Sequence, residues 1–337
     1  MSKPARVLVT DFLTEPLSIE REILGDLADV VALEARTATD LQGRVAQADA
    51  LLVYHFVHID RRVLDELTRC RLIVRCGAGV DNVDCDYAGQ LGIPVANVPD
   101  YGSEEVADTA IGALLTLARG THFLNQRCRR QGELWSYALA APLHRLRDRV
   151  LGVIGLGRIG TATALRGKAL GLDVLFYDPY LPSGYDKALG VRRAESLEEL
   201  LSASNIISLH CPLTDETRHI IDDAAISTMQ AGSIVINTAR GGVVDACAIL
   251  RALESGHLLG AALDVLECEP PPSDHPLLMA WRDPEHPAHD RLLLTPHAAF
   301  YCEEGLLEMR RKGSQNCRRA LEGKAPRNVV NSPVARR

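Results

Sequence analysis

The chain has 337 residues, enough for two domains at roughly 150 residues each. Its 37 Lys and Arg against 44 Asp and Glu give a formal charge of -7, a balance that disfavours non-specific nucleic-acid binding. Hydrophobic residues at 47% and charged residues at 24% exclude a disordered chain, and no apolar run approaches the roughly 18 residues of a membrane span.

The N-terminal MSKPARVLVTDF enters a strand-like run without a signal-peptide core, so the expected location is cytoplasmic. Five apolar runs follow in the first third: RVLVTDF from Arg6, DVVALEA from Asp29, ALLVYHF from Ala50, RLIVRCG from Arg71 and PVANV from Pro94. They are nearly continuous in Val, Leu and Ile, as strands buried on both faces of a parallel sheet should be, and residues 17–27 and 60–70 between them have helical spacing. A long amphipathic helix is expected from Ser103 to about Gly132, with Glu104 and Glu105 placed to favour its dipole.

A second series begins at Val150 with VLGVIG and continues through DVLFYD, NIISLHC, SIVINTA, GAALDV and RLLLTPH. Helical segments alternate with these runs, so both halves read as doubly wound α/β units with parallel sheets. After His297 one more helix is expected over 303–322. The stretch 270–290, rich in Pro, His and Asp, reads as a solvated loop. Its His275, His286 and His289 match no metal-ligand spacing, so no metal site is expected. Arg310, Arg311, Lys312, Arg318 and Arg319 read as the wet face of the last helix. The nine cysteines are scattered, odd in number and lack C-x-x-C, which points to mostly buried thiols in a reducing compartment. Cys302 has no evident activating base and is not assigned as a nucleophile.

The strongest local signal is VLGVIGLGRIGTATALRGKALGLDVLFYDPY. Gly155, Gly157 and Gly160 form G-x-G-x-x-G directly after a strand and at the start of a helix, and seventeen residues separate Gly160 from Asp178. Gly155 permits the tight turn, Gly157 lets backbone approach a diphosphate, and Gly160 lets the helix pack close. The helix start near Arg158 and Ile159 offers N–H groups to phosphate. Asp178 suits a ribose diol and would repel a 2′-phosphate, and Pro179 and Tyr180 follow it with no basic residue, so the expected cofactor is NAD.

Three further segments end strands of the second half. NTARGG presents Arg240, ALDVLECEP presents Asp264 and Glu269, and TPHAAF presents His297. Each alone has an ordinary structural explanation. Together they make a device: an Arg fork for a carboxylate and carbonyl, and a His whose affinity for a proton a nearby acid can raise.

With RCGAGVD, LGIPVANVP, EEVAD and LHCPLT, these segments make the chain resemble the D-2-hydroxyacid dehydrogenase family, most of all its C-terminal-binding protein branch, from about residue 50 to 328. The resemblance implies a discontinuous fold: a flavodoxin-like substrate domain of residues 1–122 plus 301–337, and a Rossmann cofactor domain of residues 123–300. It implies catalytic roles for Arg240, Glu269 and His297. It places NAD along Gly155, Gly157, Arg158, Ile159, Gly160, Asp178, His210, Thr217, Thr238, Ala239, Arg240, Asp264 and His297. It places substrate at Arg75, Ala78, Gly79, Arg240 and Phe300.

Phe300 stands where the C-terminal-binding proteins carry Trp, and the 28 residues from Glu269 to His297 exceed the usual interval. The expected reaction interconverts a 2-oxo acid and a D-2-hydroxy acid, with Phe300, Tyr54, His55 and the 270–290 loop selecting the acid. The alternative is an NAD-gated, corepressor-like binding protein. Formate oxidation is a weaker third reading, since formate dehydrogenases carry Gln where this chain has Glu269. A homodimer is expected, formed through the helix after Ser103 and the arm that follows it; no nucleic-acid or membrane partner is expected.

Overall fold

The computed structural model describes residues 3–130, 135–140 and 142–334. The chain divides into two compact units, residues 1–102 with 302–337 and residues 103–301. The sequence reading carried the first domain to residue 122. The structure instead places the helix Ser103–Arg119 in the second unit, where its apolar face (Ala110, Leu114, Leu117) belongs to the same core as Leu151, Val153 and Ile236.

The first unit holds a five-stranded parallel sheet of β1 (Ala5–Val9), β2 (Ala28–Ala32), β3 (Ala50–Val53), β4 (Leu72–Arg75) and β5 (Val95–Asn97), in the order β2-β1-β3-β4-β5. β3 and β4 are buried at every position, as their unbroken apolar runs require. The strands are shorter than the apolar runs because TDF and YHF leave the sheet to form loops. The outer edge of β5 is covered by the end of the chain. Asn97 N donates to Asn328 O at 3.1 Å, Val330 N donates to Val95 O at 2.8 Å, and Asn331 Nδ2 donates to the carbonyls of Cys85 and Ile93.

The last helix, Glu303–Leu321, packs on this unit, and Gly313 allows the contact: a Cβ there would sit 2.8 Å from Cys76 Sγ. Its basic residues do not form one wet face. Arg310 makes a two-point pair with Glu20 at 2.8 and 2.7 Å, and Glu20 is fully buried. Arg318 donates to Ile23 O at 2.8 Å. Long guanidinium stems can reach inward from a helix flank, which periodicity of charge does not reveal.

The second unit holds a seven-stranded parallel sheet. Its strands are β6 (Val150–Ile154), β7 (Asp173–Tyr177), β8 (Arg192–Arg193), β9 (Ile206–Leu209), β10 (Ser233–Asn237), β11 (Leu258–Leu263) and β12 (Leu292–Leu294). The order β12-β11-β10-β9-β6-β7-β8 puts β6 at the switch point, with β7 on one side and β9 on the other. Ligands of such sheets bind beyond the carboxyl ends of the strands at that point. The short β8 was not anticipated, since two residues carry no periodicity.

Two other expectations change in this unit. The helix expected over 103–132 is two helices, Ser103–Arg119 and Thr121–Arg129, divided by Gly120 at φ 62°; residues 131 and 132 lie outside the described residues. The 270–290 stretch is not simply a solvated loop. It contains the helix Pro276–Arg282, which buries Leu277, Leu278 and Ala280. Its three histidines have separate local partners: His275 Nδ1 accepts from Leu277 N, His286 Nδ1 accepts from Ala288 N, and His289 Nδ1 lies 2.6 Å from Trp281 O. All nine thiols are free; Cys128, Cys247 and Cys268 are exposed, so burial accounts for fewer of them than expected. Among the described residues no helix is long and apolar enough to cross a membrane.

Candidate active site

Beyond β6 the chain turns through Gly155 at φ 85°, and a Cβ there would stand within 2.9 Å of backbone atoms of His210 and Cys211. Gly160 lies in the first turn of the helix Arg158–Ala169, and its Cβ would be 2.0 Å from Gly155 O. Only glycine at both positions lets the helix start rest on the loop before it. Gly157 differs: nothing lies within 4 Å of its Cβ position, so this side of the loop is open. The first N–H groups of the helix have no acceptor within the helix and suit an anion there. Asp178, directly after β7, is fixed beside the loop: Oδ2 accepts from Leu156 N at 2.9 Å and Oδ1 from Tyr180 N at 3.1 Å. Each oxygen keeps lone-pair capacity for a hydroxyl.

At the ends of the neighbouring strands β9 and β10, two enclosed polar atoms have no protein partner among the described residues: His210 Nδ1 and Thr238 Oγ1. Buried polar atoms are rarely left so unless a ligand or water serves them. His210 Nε2 lies 2.8 Å from Ser208 Oγ, and burial depresses the imidazole pKa to about 3, so the ring is neutral. Thr217 is committed to its own turn, donating to Pro212 O at 2.6 Å and accepting from Thr214 N at 2.8 Å. An open glycine loop, a helix start, a diol-accepting carboxylate and two waiting polar atoms fit a dinucleotide.

Arg240 follows β10 on a turn shaped by Asn237, a fully buried residue that the sequence reading overlooked. The Asn237 carboxamide accepts from Ala239 N at 3.0 Å and donates to Arg240 O at 2.8 Å, closing the turn that also carries Thr238. The next residue explains the ARGG pattern. A Cβ on Gly241 would lie 1.9 Å from Leu266 C, because the loop after β11 crosses directly over it. That loop carries Glu269, whose Oε1 accepts from Leu266 N at 2.8 Å. Its Oε2 lies 2.7 Å from His297 Nδ1.

His297 sits past β12 with its backbone in the left-handed region at φ 52°, a strained conformation for a residue with a Cβ. Asp264 holds it there. Asp264 O accepts from His297 N at 2.7 Å, and its carboxylate accepts from Thr295 Oγ1 at 2.5 Å and from the N–H groups of Ala298 and Ala299 at 2.9 Å each. The Asp264 carboxylate, expected along the cofactor, also organises the 295–299 turn. Phe300 stands edge-on to the His297 ring, with centroids 6.3 Å apart.

In the first unit Arg75 ends β4 and is buried, donating to Asn82 Oδ1 at 3.4 Å and Cys76 O at 3.3 Å. Its guanidinium folds back over Gly77, where a Cβ would collide with Nη1. Ala78 and Gly79 follow, and Asn97 Nδ2 holds Ala78 O at 2.7 Å. Asp11 was missed. This fully buried carboxylate accepts from Tyr54 N at 2.9 Å, His55 N at 2.7 Å, Phe56 N at 2.5 Å and Thr10 Oγ1 at 2.6 Å. Tyr54, expected to face substrate, is instead fully buried and stacked on Phe12.

A doubly wound parallel sheet with a glycine loop at its switch point defines a dinucleotide-binding protein of the Rossmann class. Residues 111–299 match the model of the D-isomer specific 2-hydroxyacid dehydrogenase NAD-binding domain. The chain is 36% identical over 328 residues to D-3-phosphoglycerate dehydrogenase of Methanocaldococcus jannaschii, covering 97% of this chain and 60% of that protein. It is 33% identical over 321 residues to C-terminal-binding protein 1 of Caenorhabditis elegans, covering 93% and 43%. It thus spans less than two thirds of the length of either relative. D-lactate dehydrogenase from Aquifex aeolicus, solved with NAD and lactic acid, superposes with a TM-score of 0.84 at 31% identity, covering 94% of this chain and 96% of that one. The chain belongs to the D-isomer specific 2-hydroxyacid dehydrogenase family and carries its NAD-binding domain.

Proposed function

We propose that the protein is an NAD-dependent dehydrogenase that interconverts a 2-oxo acid and its D-2-hydroxy acid. The observation that carries this reading is the 2.7 Å pair of His297 Nδ1 and Glu269 Oε2 on the strand edge that also carries the glycine loop. The cofactor is held by Gly155, Gly157, Gly160, Arg158, Ile159 and Asp178, with His210, Thr217, Thr238 and Ala239 lining its site. NADH held there would supply the hydride for C2 of the acid.

The chain's own residues handle charge and protons. Glu269 fixes the ring of His297 through Nδ1, which aims Nε2 to give a proton to the C2 oxygen as negative charge develops there. Arg240 orients the carbonyl and carboxylate through its planar fork. Asp264 and Asn237 act through the turns they close. Phe300, edge-on to the His297 ring, shapes the side-chain pocket. The protein works as a homodimer in a reducing, cytoplasmic setting. Its free thiols support that location, and the outward Trp135 and Tyr137 support the assembly.

The test is loss of NADH absorbance with a panel of 2-oxo acids from glyoxylate and pyruvate to branched and aromatic ones, repeated with His297→Ala. Turnover of one class that the substitution abolishes supports the reading. Tight NADH binding with no turnover of any acid overturns it. Light scattering of the purified chain checks the dimer; a monomer mass rejects it.

A further inference from the structure

Beside the dyad lies a charged cluster with no part in the proposed chemistry. Arg218 Nη1 is 3.2 Å from Glu267 Oε1, and His219 Nε2 is 3.3 Å from Glu267 Oε2. The partners come from different loops at the carboxyl edge of the second sheet: Arg218 and His219 follow β9, while Glu267 follows β11, two residues before Glu269. The loop after β10 lies with them. His219 N donates to Gly242 O at 2.8 Å, and a Cβ on Gly242 would stand 3.4 Å from Arg218 Nη1. Gly241, its neighbour, is crossed by the backbone of Leu266 and Glu267. The Arg218 guanidinium therefore lies along the loop that presents Arg240 while it grips the loop that presents Glu269. His219 completes the arrangement from a left-handed backbone at φ 49°.

We propose that Arg218 is a positioning residue for the dehydrogenase reaction: its pair with Glu267 beside Gly242 staples the Arg240 loop to the Glu269 loop and so keeps Glu269 in register with His297. The physical basis is the compactness of residues 266–269. Because Leu266 N closes on Glu269 Oε1, a displacement of Glu267 is carried to the carboxylate two residues on. An isolated exposed ion pair contributes little to global stability. Its effect here falls on the fraction of molecules in which the dyad is aligned.

This inference rests on the dehydrogenase reading, and the experiment separates the two. Arg218→Glu, Glu267→Arg, the two together and Arg218→Lys are compared with the unaltered chain for kcat, for KM of NADH with the best-used 2-oxo acid of the panel, and for amide exchange of peptide 264–270. Each single reversal lowers kcat about three- to tenfold, speeds exchange of that peptide and leaves the NADH KM within about twofold, a scale set by partly exposed charge pairs. Arg218→Lys and the paired reversal recover most of the loss. Single reversals that leave kcat and exchange unchanged overturn the proposal. So does faster exchange without a fall in kcat, or a paired reversal no better than its components. An unaltered chain that binds NADH but turns over no acid sinks the dehydrogenase reading and the positioning role with it; the exchange data still report whether the pair holds the loops.

Discussion

The carboxyl edges of the two parallel sheets are finished in different ways. In the first unit, the loops after β1 and β3 meet on Asp11, whose carboxylate takes three backbone N–H groups and one hydroxyl. Asn82 ties the carbonyls of Tyr54 and Val57 in the same way. Those loops satisfy these backbone groups from within the chain. In the second unit, Gly155 lets the loop after β6 rest on the one after β9 and Gly241 lets the loop after β10 meet the one after β11, while among the described residues His210 Nδ1 and Thr238 Oγ1 are enclosed without a partner. One edge is closed by internal hydrogen bonds, whereas the other keeps polar capacity for a bound molecule. Similar sheets therefore do not imply similar readiness to bind.

The sharpest test of that contrast is at the dyad. His297→Gln keeps a polar side chain but cannot carry the proton, and should lower kcat by about 10²–10⁴-fold. Fluorescence titration should find NADH affinity little changed. Equal losses of affinity and kcat would mean that His297 serves binding rather than proton transfer.

Asp11→Ala tests the closed edge. It strands three backbone donors, one buried and two part-buried, so urea unfolding should show a loss of about 3 kcal/mol. Asn82→Ala should lose less, since it frees two carbonyl acceptors rather than three N–H donors. If Asp11→Ala unfolds no more easily than the unaltered chain, the view of the first edge as held by internal hydrogen bonds fails.

Gly241→Ala tests the opposite kind of construction. The added carbon meets Leu266 backbone rather than a flexible side chain, so the Glu269 loop must shift. The expected outcome is a kcat lower by at least about tenfold, with a melting temperature that falls by only a few degrees. Retained kcat would show that the two loops need not touch.

The smallest effect concerns acid. His210 is held neutral in the fold at a pKa of about 3, below its ordinary value of about 6.5. The unfolded chain then binds the extra proton between those values. The contribution is complete above pH 6.5 and is lost as pH falls toward 3, with a slope of at most about 1.4 kcal/mol per pH unit. His210→Asn should flatten this limb when unfolding is followed from pH 7 to pH 5. An identical limb in both proteins would assign it to other groups.

The parts of the site legible in sequence were those with short-range grammar. Gly155, Gly157, Gly160 and Asp178 lie on one strand–turn–helix–strand unit, and the structure places them around one loop as that pattern requires. Arg240, Glu269 and His297 were legible because each lies on a loop that follows a strand, although their assignment needed the family resemblance. Asp11, Asn237 and the Arg218–Glu267 pair left no such signal. Asp11 reaches Tyr54 across 43 residues and Arg218 reaches Glu267 across 49. An Asp after a strand or an Arg in a polar loop has no periodicity to mark it. Arg310 shows the same blindness, since its partner Glu20 is 290 residues away.

What the sequence by itself determined was the succession of strands and helices, the parallel α/β class of both units and the dinucleotide loop. These follow from hydrophobic period and from glycines whose conformational need is local. Only the tertiary structure decided that the helix Ser103–Arg119 belongs with the second unit, that Asp264 holds the turn of His297, and that Tyr54 is core. Each of those depends on which distant segment fills the neighbouring space, and packing between segments is a property of the folded chain rather than of any stretch of it.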